Sequence, residues 1–208
     1  MKKLKSNSEK NFIFSQMLIS CFASWGIEYA FISPGSRNSP LTHALLKNKD
    51  IKTYSIVDER SSVYVALGKI KTDRLKRPIL IITTSGTAVA NLFPGIVEAY
   101  MSKIPIIAIT ADRPKRLVGI GVNQTIYQNK IFGRYTKFFD ASTYIKNLSN
   151  EIEDFVKEIY SVATNNKTKD LSSLPIPVHL NVPFDEPLIE TNYSDNLLIS
   201  DQPIKKDL

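Results

Sequence analysis

Four short stretches of this chain place charged or hydrogen-bonding residues directly after apolar runs. They are Ser33-Pro34-Gly35-Ser36-Arg37, Val57-Asp58-Glu59-Arg60, Thr84-Ser85-Gly86-Thr87 and Ala111-Asp112-Arg113-Pro114. Together they offer a carboxylate suited to proton transfer (Glu59) and two guanidinium groups, Arg37 and Arg113. A guanidinium can hold a carboxylate through two parallel hydrogen bonds. The glycines at 35 and 86 let backbone approach a ligand closely. Plainer readings exist for each residue. Asp58 and Glu59 could open a helix and complement the positive end of its dipole. Arg113 could pair with Asp112 or cap a helix, and Arg37 could lie on a loop surface.

The elements that would position these residues follow from periodicity. Phe14, Met17, Leu18, Cys21, Phe22 and Trp25 recur at helical spacing and predict an amphipathic helix over Asn11–Ile27, closed near Gly26. Strands are expected at Tyr29–Ile32, Tyr54–Val57, Ile79–Thr83, Pro105–Thr110, Lys137–Phe139 and Pro177–Pro183. The spacing predicts helices over Leu41–Lys47, Ser61–Lys71, Ala88–Met101 and Glu151–Ala163, with a short one over Gln124–Phe132. Pro94 and Gly95 predict a break in the third of these. Strands alternating with helices imply a three-layer α/β/α fold with a mostly parallel sheet of about six strands. Ligands of such sheets sit outside the carboxyl ends of the strands. That rule gathers Ser36, Arg37, Glu59, Ser85, Gly86 and Arg113 on one rim.

Composition narrows the classes of function. The chain has 208 residues, 43% hydrophobic and 23% charged, as in an ordinary soluble domain. A net charge of +7 fits a solvated basic surface, then anionic metabolites; no nucleic-acid-binding motif accompanies it. The single cysteine, Cys21, suits a reducing cytoplasm and leaves no disulfide framework. One cysteine and two histidines make a Cys/His zinc site implausible, and no metal ligand is assigned. The first helix is too polar to span a bilayer, so no membrane role is expected. Gly119-Ile120-Gly121 begins like a dinucleotide fingerprint but lacks the third glycine and the preceding strand. His43 and His179 sit in no motif and read as structural.

The four turns occur in order, joined by Asn91, by Asn123-Gln124 and by Phe132-Gly133-Arg134. The set resembles the N-terminal, pyrimidine-binding domain of thiamine-diphosphate enzymes. Within them it is most similar to the 2-succinyl-5-enolpyruvyl-6-hydroxy-3-cyclohexene-1-carboxylate synthase (MenD) family of menaquinone biosynthesis. Relatives of the acetolactate synthase and pyruvate oxidase type continue the third turn as Ser-Gly-Pro-Gly, where this chain has Ser85-Gly86-Thr87-Ala88.

The resemblance implies roles. Glu59 would be the catalytic carboxylate, hydrogen-bonded to N1′ of the cofactor's aminopyrimidine, with Ser85 and Gly86 also lining the cofactor. Arg37, Arg113, Gln124, Ser36 and Asn123 would contact isochorismate. The implied reaction decarboxylates 2-oxoglutarate and joins the remainder to isochorismate. Mg²⁺ and the diphosphate would be held by a C-terminal domain through a Gly-Asp-Gly run that this sequence does not contain. Each active site would lie between two subunits of a homo-oligomer. Residues 1–184 are then expected to form the pyrimidine-binding domain and 185–208 a linker toward a missing middle domain. The chain alone is expected to be inactive and to lack micromolar affinity for the cofactor. Two rivals remain: a non-catalytic module binding an anionic metabolite, which would have no evident need for Glu59, and another thiamine-diphosphate-dependent decarboxylase or synthase.

Overall fold

The run Ile79-Leu80-Ile81-Ile82 shows why the chain forms three layers. Ile79 and Ile81 pack into one apolar cluster, and Leu80 and Ile82 into another on the opposite face. A strand covered on both sides must alternate in this way. The computed structural model describes residues 5–73, 77–148, 151–165 and 174–189. Its strands are β1 (Tyr29–Ile32), β2 (Lys52–Ser55), β3 (Ile79–Thr83), β4 (Ile106–Asp112), β5 (Lys137–Asp140) and β6 (Val178–Pro183). They stand in the order β2-β1-β3-β4-β6-β5, with every neighbouring pair parallel.

The helices are α1 (Asn7–Ser24), α2 (Ser39–Lys47), α3 (Glu59–Thr72), α4 (Thr87–Asn91), α5 (Phe93–Met101), α6 (Ser142–Asn147) and α7 (Ile152–Thr164). Phe14, Leu18 and Phe22 of α1 join Phe155 and Ile159 of α7 on one face of the sheet. Val63 and Leu67 of α3 join Ile96 of α5 on the other. Fully burying a side chain of this size contributes about 1.5–3 kcal/mol. The two apolar layers, rather than any surface contact, therefore hold the rim in place.

The connection after β1 leads outward to β2, whereas the one after β3 leads the other way to β4. The loops part between β1 and β3, which is where a doubly wound sheet opens a crevice.

Several boundaries differ from expectation. Helix α1 begins at Asn7 rather than Asn11, because Ser6 and Glu9 close a capping box: the Ser6 side chain accepts from the Glu9 amide, and the Glu9 carboxylate accepts from the Ser6 amide at 2.8 Å. Strand β2 stops at Ser55 because its neighbour β1 ends at Ile32, directly opposite. Val57 is 84% exposed. Strand β4 runs to Asp112 because β6 accompanies it as far as Pro183. No helix forms over Gln124–Phe132. Gln124 and Lys130 take φ of +54° and +59°, outside the right-handed helical region, and a 3₁₀ turn follows at Gly133–Tyr135. The expected break falls at Leu92, between α4 and α5, with Pro94 in the first turn of α5, where no N–H is needed. Helix α6 carries too short a pattern to have been anticipated.

Of the stretch expected to be a tail, residues 190–208 lie outside the described residues. Asp185–Leu188 continue onto the domain. Asn11 Nδ2 donates to the Asp185 carbonyl at 2.8 Å, and Leu188 packs against the α1 side of the core.

His179 sits fully buried in β6 between the edges of Phe132 and Phe138, with ring centroids 4.8 and 5.3 Å away. Its Nε2 bonds Thr110 Oγ1 at 2.8 Å. Burial pushes its pKa down to about 3. The unfolded imidazole takes its proton near the ordinary value of about 6.5. Between these pH values the unfolded chain binds the extra proton, so stability falls as pH drops from about 6.5 toward 3. Denaturant melts from pH 7 to 4 should show a slope approaching ~1.4 kcal/mol per pH unit that is absent from His179→Gln. Parallel curves for the two proteins would contradict this.

Candidate functional site

The turn after β3 is where the rim closes. Gly86 adopts φ +79°, ψ −138°, a conformation that only glycine reaches without strain. A Cβ there would stand 2.8 Å from the Gln124 carbonyl oxygen, and a Cβ on Gly35 would overlap the Thr84 side chain. The loops after β1, β3 and β4 thus touch one another only because these two positions carry no side chain.

Hydrogen bonds complete the junction. Arg113 Nη1 donates to Ser85 Oγ and, at 2.7 Å, to the Gln124 carbonyl. Gln124 Nε2 donates back to the Ser85 carbonyl at 3.1 Å. Arg37 is buried: its Nη1 donates to the Phe184 carbonyl at 3.2 Å and its Nη2 to Glu186 at 2.6 Å. Burial, and then the nearby Arg37 charge, pull the Arg113 guanidinium below its ordinary pKa. Both arginines keep a buried Nε without a hydrogen-bond partner among the described residues. Glu186 answers only part of this charge, because its side chain is 70% exposed and such pairs contribute little.

Glu59 is the first residue of α3. The helix-start reading holds for both acids: Glu59 lies in the first turn, and Asp58 is the N-cap. The Asp58 Oδ1 accepts from the Ser61 amide at 2.7 Å, and contacts with Ser61 hold its carboxyl below the usual range. Glu59 is turned elsewhere. Its Oε2 accepts from Asn91 Nδ2 at 3.1 Å, and its other oxygen has no partner among the described residues. One oxygen fixed and one open fits a carboxylate that must share a proton with a ring nitrogen of a bound cofactor. Helix α4 spans the interval between the Gly86 turn and Asn91, so Glu59 is tied to the same junction as Arg113.

Ser36 is exposed beside Arg37, and Asn123 is exposed beside Gln124. Neither side chain hydrogen-bonds to the junction. Glu186, Gln128 and Asn181 were absent from the sequence-based set. A loop glutamine or a strand asparagine gives no signal by type, and their partners lie far away in the chain. No group of three or more His, Cys, Asp or Glu that could hold a metal ion occurs among the described residues. No helix among them is long and apolar enough to cross a membrane.

The sequence is similar to those of known proteins. Residues 13–131 match the family described as thiamine pyrophosphate enzyme, N-terminal TPP binding domain. Among curated relatives, a 2-succinyl-5-enolpyruvyl-6-hydroxy-3-cyclohexene-1-carboxylate synthase of Flavobacterium psychrophilum is 38% identical over 177 residues, covering 85% of this chain and 30% of the relative. Synthases of the same name from Pelodictyon phaeoclathratiforme and Shewanella oneidensis are 42% and 34% identical. They cover 88% and 99% of this chain, and 30% and 34% of their own lengths. The chain thus spans about a third of the length of the relatives it matches. It belongs to the thiamine pyrophosphate enzyme family, as a bearer of that family's N-terminal TPP-binding domain.

Proposed function

We propose that this chain is the pyrimidine-binding domain of a longer or two-chain cytoplasmic synthase that decarboxylates 2-oxoglutarate and joins the remaining unit to isochorismate. The observation that carries the choice of acceptor is that the loops after β1 and β4 bring two guanidinium groups, Arg37 and Arg113, to one rim of the sheet, where they are tied to Phe184, Glu186, Ser85 and Gln124. Isochorismate has two carboxylates, and a planar guanidinium fork suits such groups better than a point charge does. The names of the relatives support the same reading.

When bound, thiamine diphosphate supplies the electron sink for the decarboxylation. The residues of this chain supply orientation and proton control. Glu59 holds a proton at the N1′ nitrogen of the aminopyrimidine, while Asn91 keeps its carboxylate from rotating away. Ser85 and Gly86 would shape the turn that lines the cofactor. Arg37 and Arg113 hold the acceptor's carboxylates, assisted by Gln124 and by the exposed Ser36 and Asn123. Mg²⁺ and the diphosphate would be held by a partner domain, contributed by a second subunit of a homo-oligomer.

The direct test is to assay the enzyme completed by its diphosphate-binding domain. Carbon dioxide should be released from 2-oxoglutarate, and an adduct formed, only when thiamine diphosphate, Mg²⁺ and isochorismate are all present. Turnover of pyruvate in place of 2-oxoglutarate, or indifference to isochorismate, would overturn the assignment.

A further inference from the structure

Between the Gly86 turn and the Arg113 turn runs a chain of side chains that the site described above does not use. The Gly86 amide donates to Gln128 Oε1 at 3.2 Å. Gln128 Nε2 donates to Asn181 Oδ1 at 2.8 Å and to the Ala111 carbonyl at 2.9 Å. Asn181 Nδ2 in turn donates to Asp112 Oδ2 at 3.0 Å, and Asp112 Oδ1 accepts from the Arg113 amide at 2.7 Å. The second Nδ2 hydrogen of Asn181 goes to Asn129 Oδ1, also at 3.0 Å.

Gln128 and Asn181 are 1% and 2% exposed, so water does not compete for these bonds. A buried polar group left without its partner is costly, which fixes the orientation of each amide. A polar staple that merely ties the loop after β4 to β6 would need only the bonds to Ala111 and Asn181. The relay does more. Its two ends are backbone amides, one in the cofactor turn and one in the turn that carries Arg113.

We propose that Gln128 is a positioning residue that sets the Gly86 turn and the Arg113 turn at one spacing, acting through Asn181 and Asp112. What the two turns hold rests on the function proposed above; the coupling between them does not.

Backbone amide hydrogen exchange on the 208-residue chain tests the coupling. Gln128→Met keeps the length of the side chain and removes all four of its bonds, the fourth being a 3.5 Å contact from Nε2 to Thr110 Oγ1. It should speed exchange at both Gly86 and Arg113 by about tenfold relative to Ile81 in β3, the scale of one lost buried hydrogen bond. Asn181→Leu cuts the relay further along and covers the case in which the first variant does not fold. It should speed Arg113 by a similar factor and leave Gly86 within about twofold of wild type. Uniform acceleration that includes Ile81, or no change at Gly86 and Arg113, would overturn the proposal. In the completed enzyme, Gln128→Met should raise the KM for isochorismate by about tenfold. If the exchange pattern holds while that constant stays put, the coupling stands and the substrate reading is what fails.

Discussion

Glu59→Gln should lower turnover of the completed enzyme by at least ~100-fold, the scale that a positioned general acid–base group contributes. The amide matches the carboxylate in size and can still accept from Asn91. It cannot share a proton with a ring nitrogen. Glu59 is only half-buried, and Asn91, its one side-chain partner among the described residues, is exposed. Substitutions at such positions usually change stability by no more than about 0.5 kcal/mol. A large kinetic loss with an unchanged melting temperature would therefore report on the proton and not on the fold. Near-normal turnover would remove Glu59 from its role.

Arg37→Lys should raise the KM for isochorismate by about 10- to 100-fold, corresponding to the ~1.5–3 kcal/mol of a hydrogen bond to a charged group. The substitution keeps the charge. What it removes is a fork that now reaches the Phe184 carbonyl and Glu186 together. A lysine ammonium can donate in those directions but cannot present two parallel bonds to one carboxylate. Steady-state kinetics in isochorismate, alongside the melting temperature, would separate lost contact from lost packing. An unchanged KM and turnover would mean that Arg37 only fastens the segment after β6 to the rim.

The parts of this fold that were legible from sequence are those in which one residue type has one explanation. The apolar run Ile79–Ile82 required cover on both faces, and the two clusters on either side of β3 supply it. Gly35 and Gly86 marked turns because close backbone approach admits no side chain at either place. Strand β2 was misplaced by two residues because Tyr54–Val57 has the more strand-like composition, whereas pairing with β1 ends at Ser55. The loop from Gln124 looked helical because its left-handed positions are occupied by Gln124 and Lys130, residues that do not announce such a conformation. Asn91 was visible as part of a motif, but its contact with Glu59 joins residues 32 positions apart. Gln128 was invisible for the same reason: its partners come from three different elements, and only the assembled sheet brings them within reach.

We propose that the Glu59 carboxylate, held by Asn91 on the rim, controls a proton on the bound cofactor. Exchange of the C2 hydrogen of bound thiamine diphosphate with deuterated solvent, stopped by acid at millisecond intervals and read by NMR, measures this without any dependence on the acceptor substrate. The completed enzyme should exchange that hydrogen at least ~100-fold faster than its Glu59→Gln variant. Equal rates in the two proteins would contradict the account.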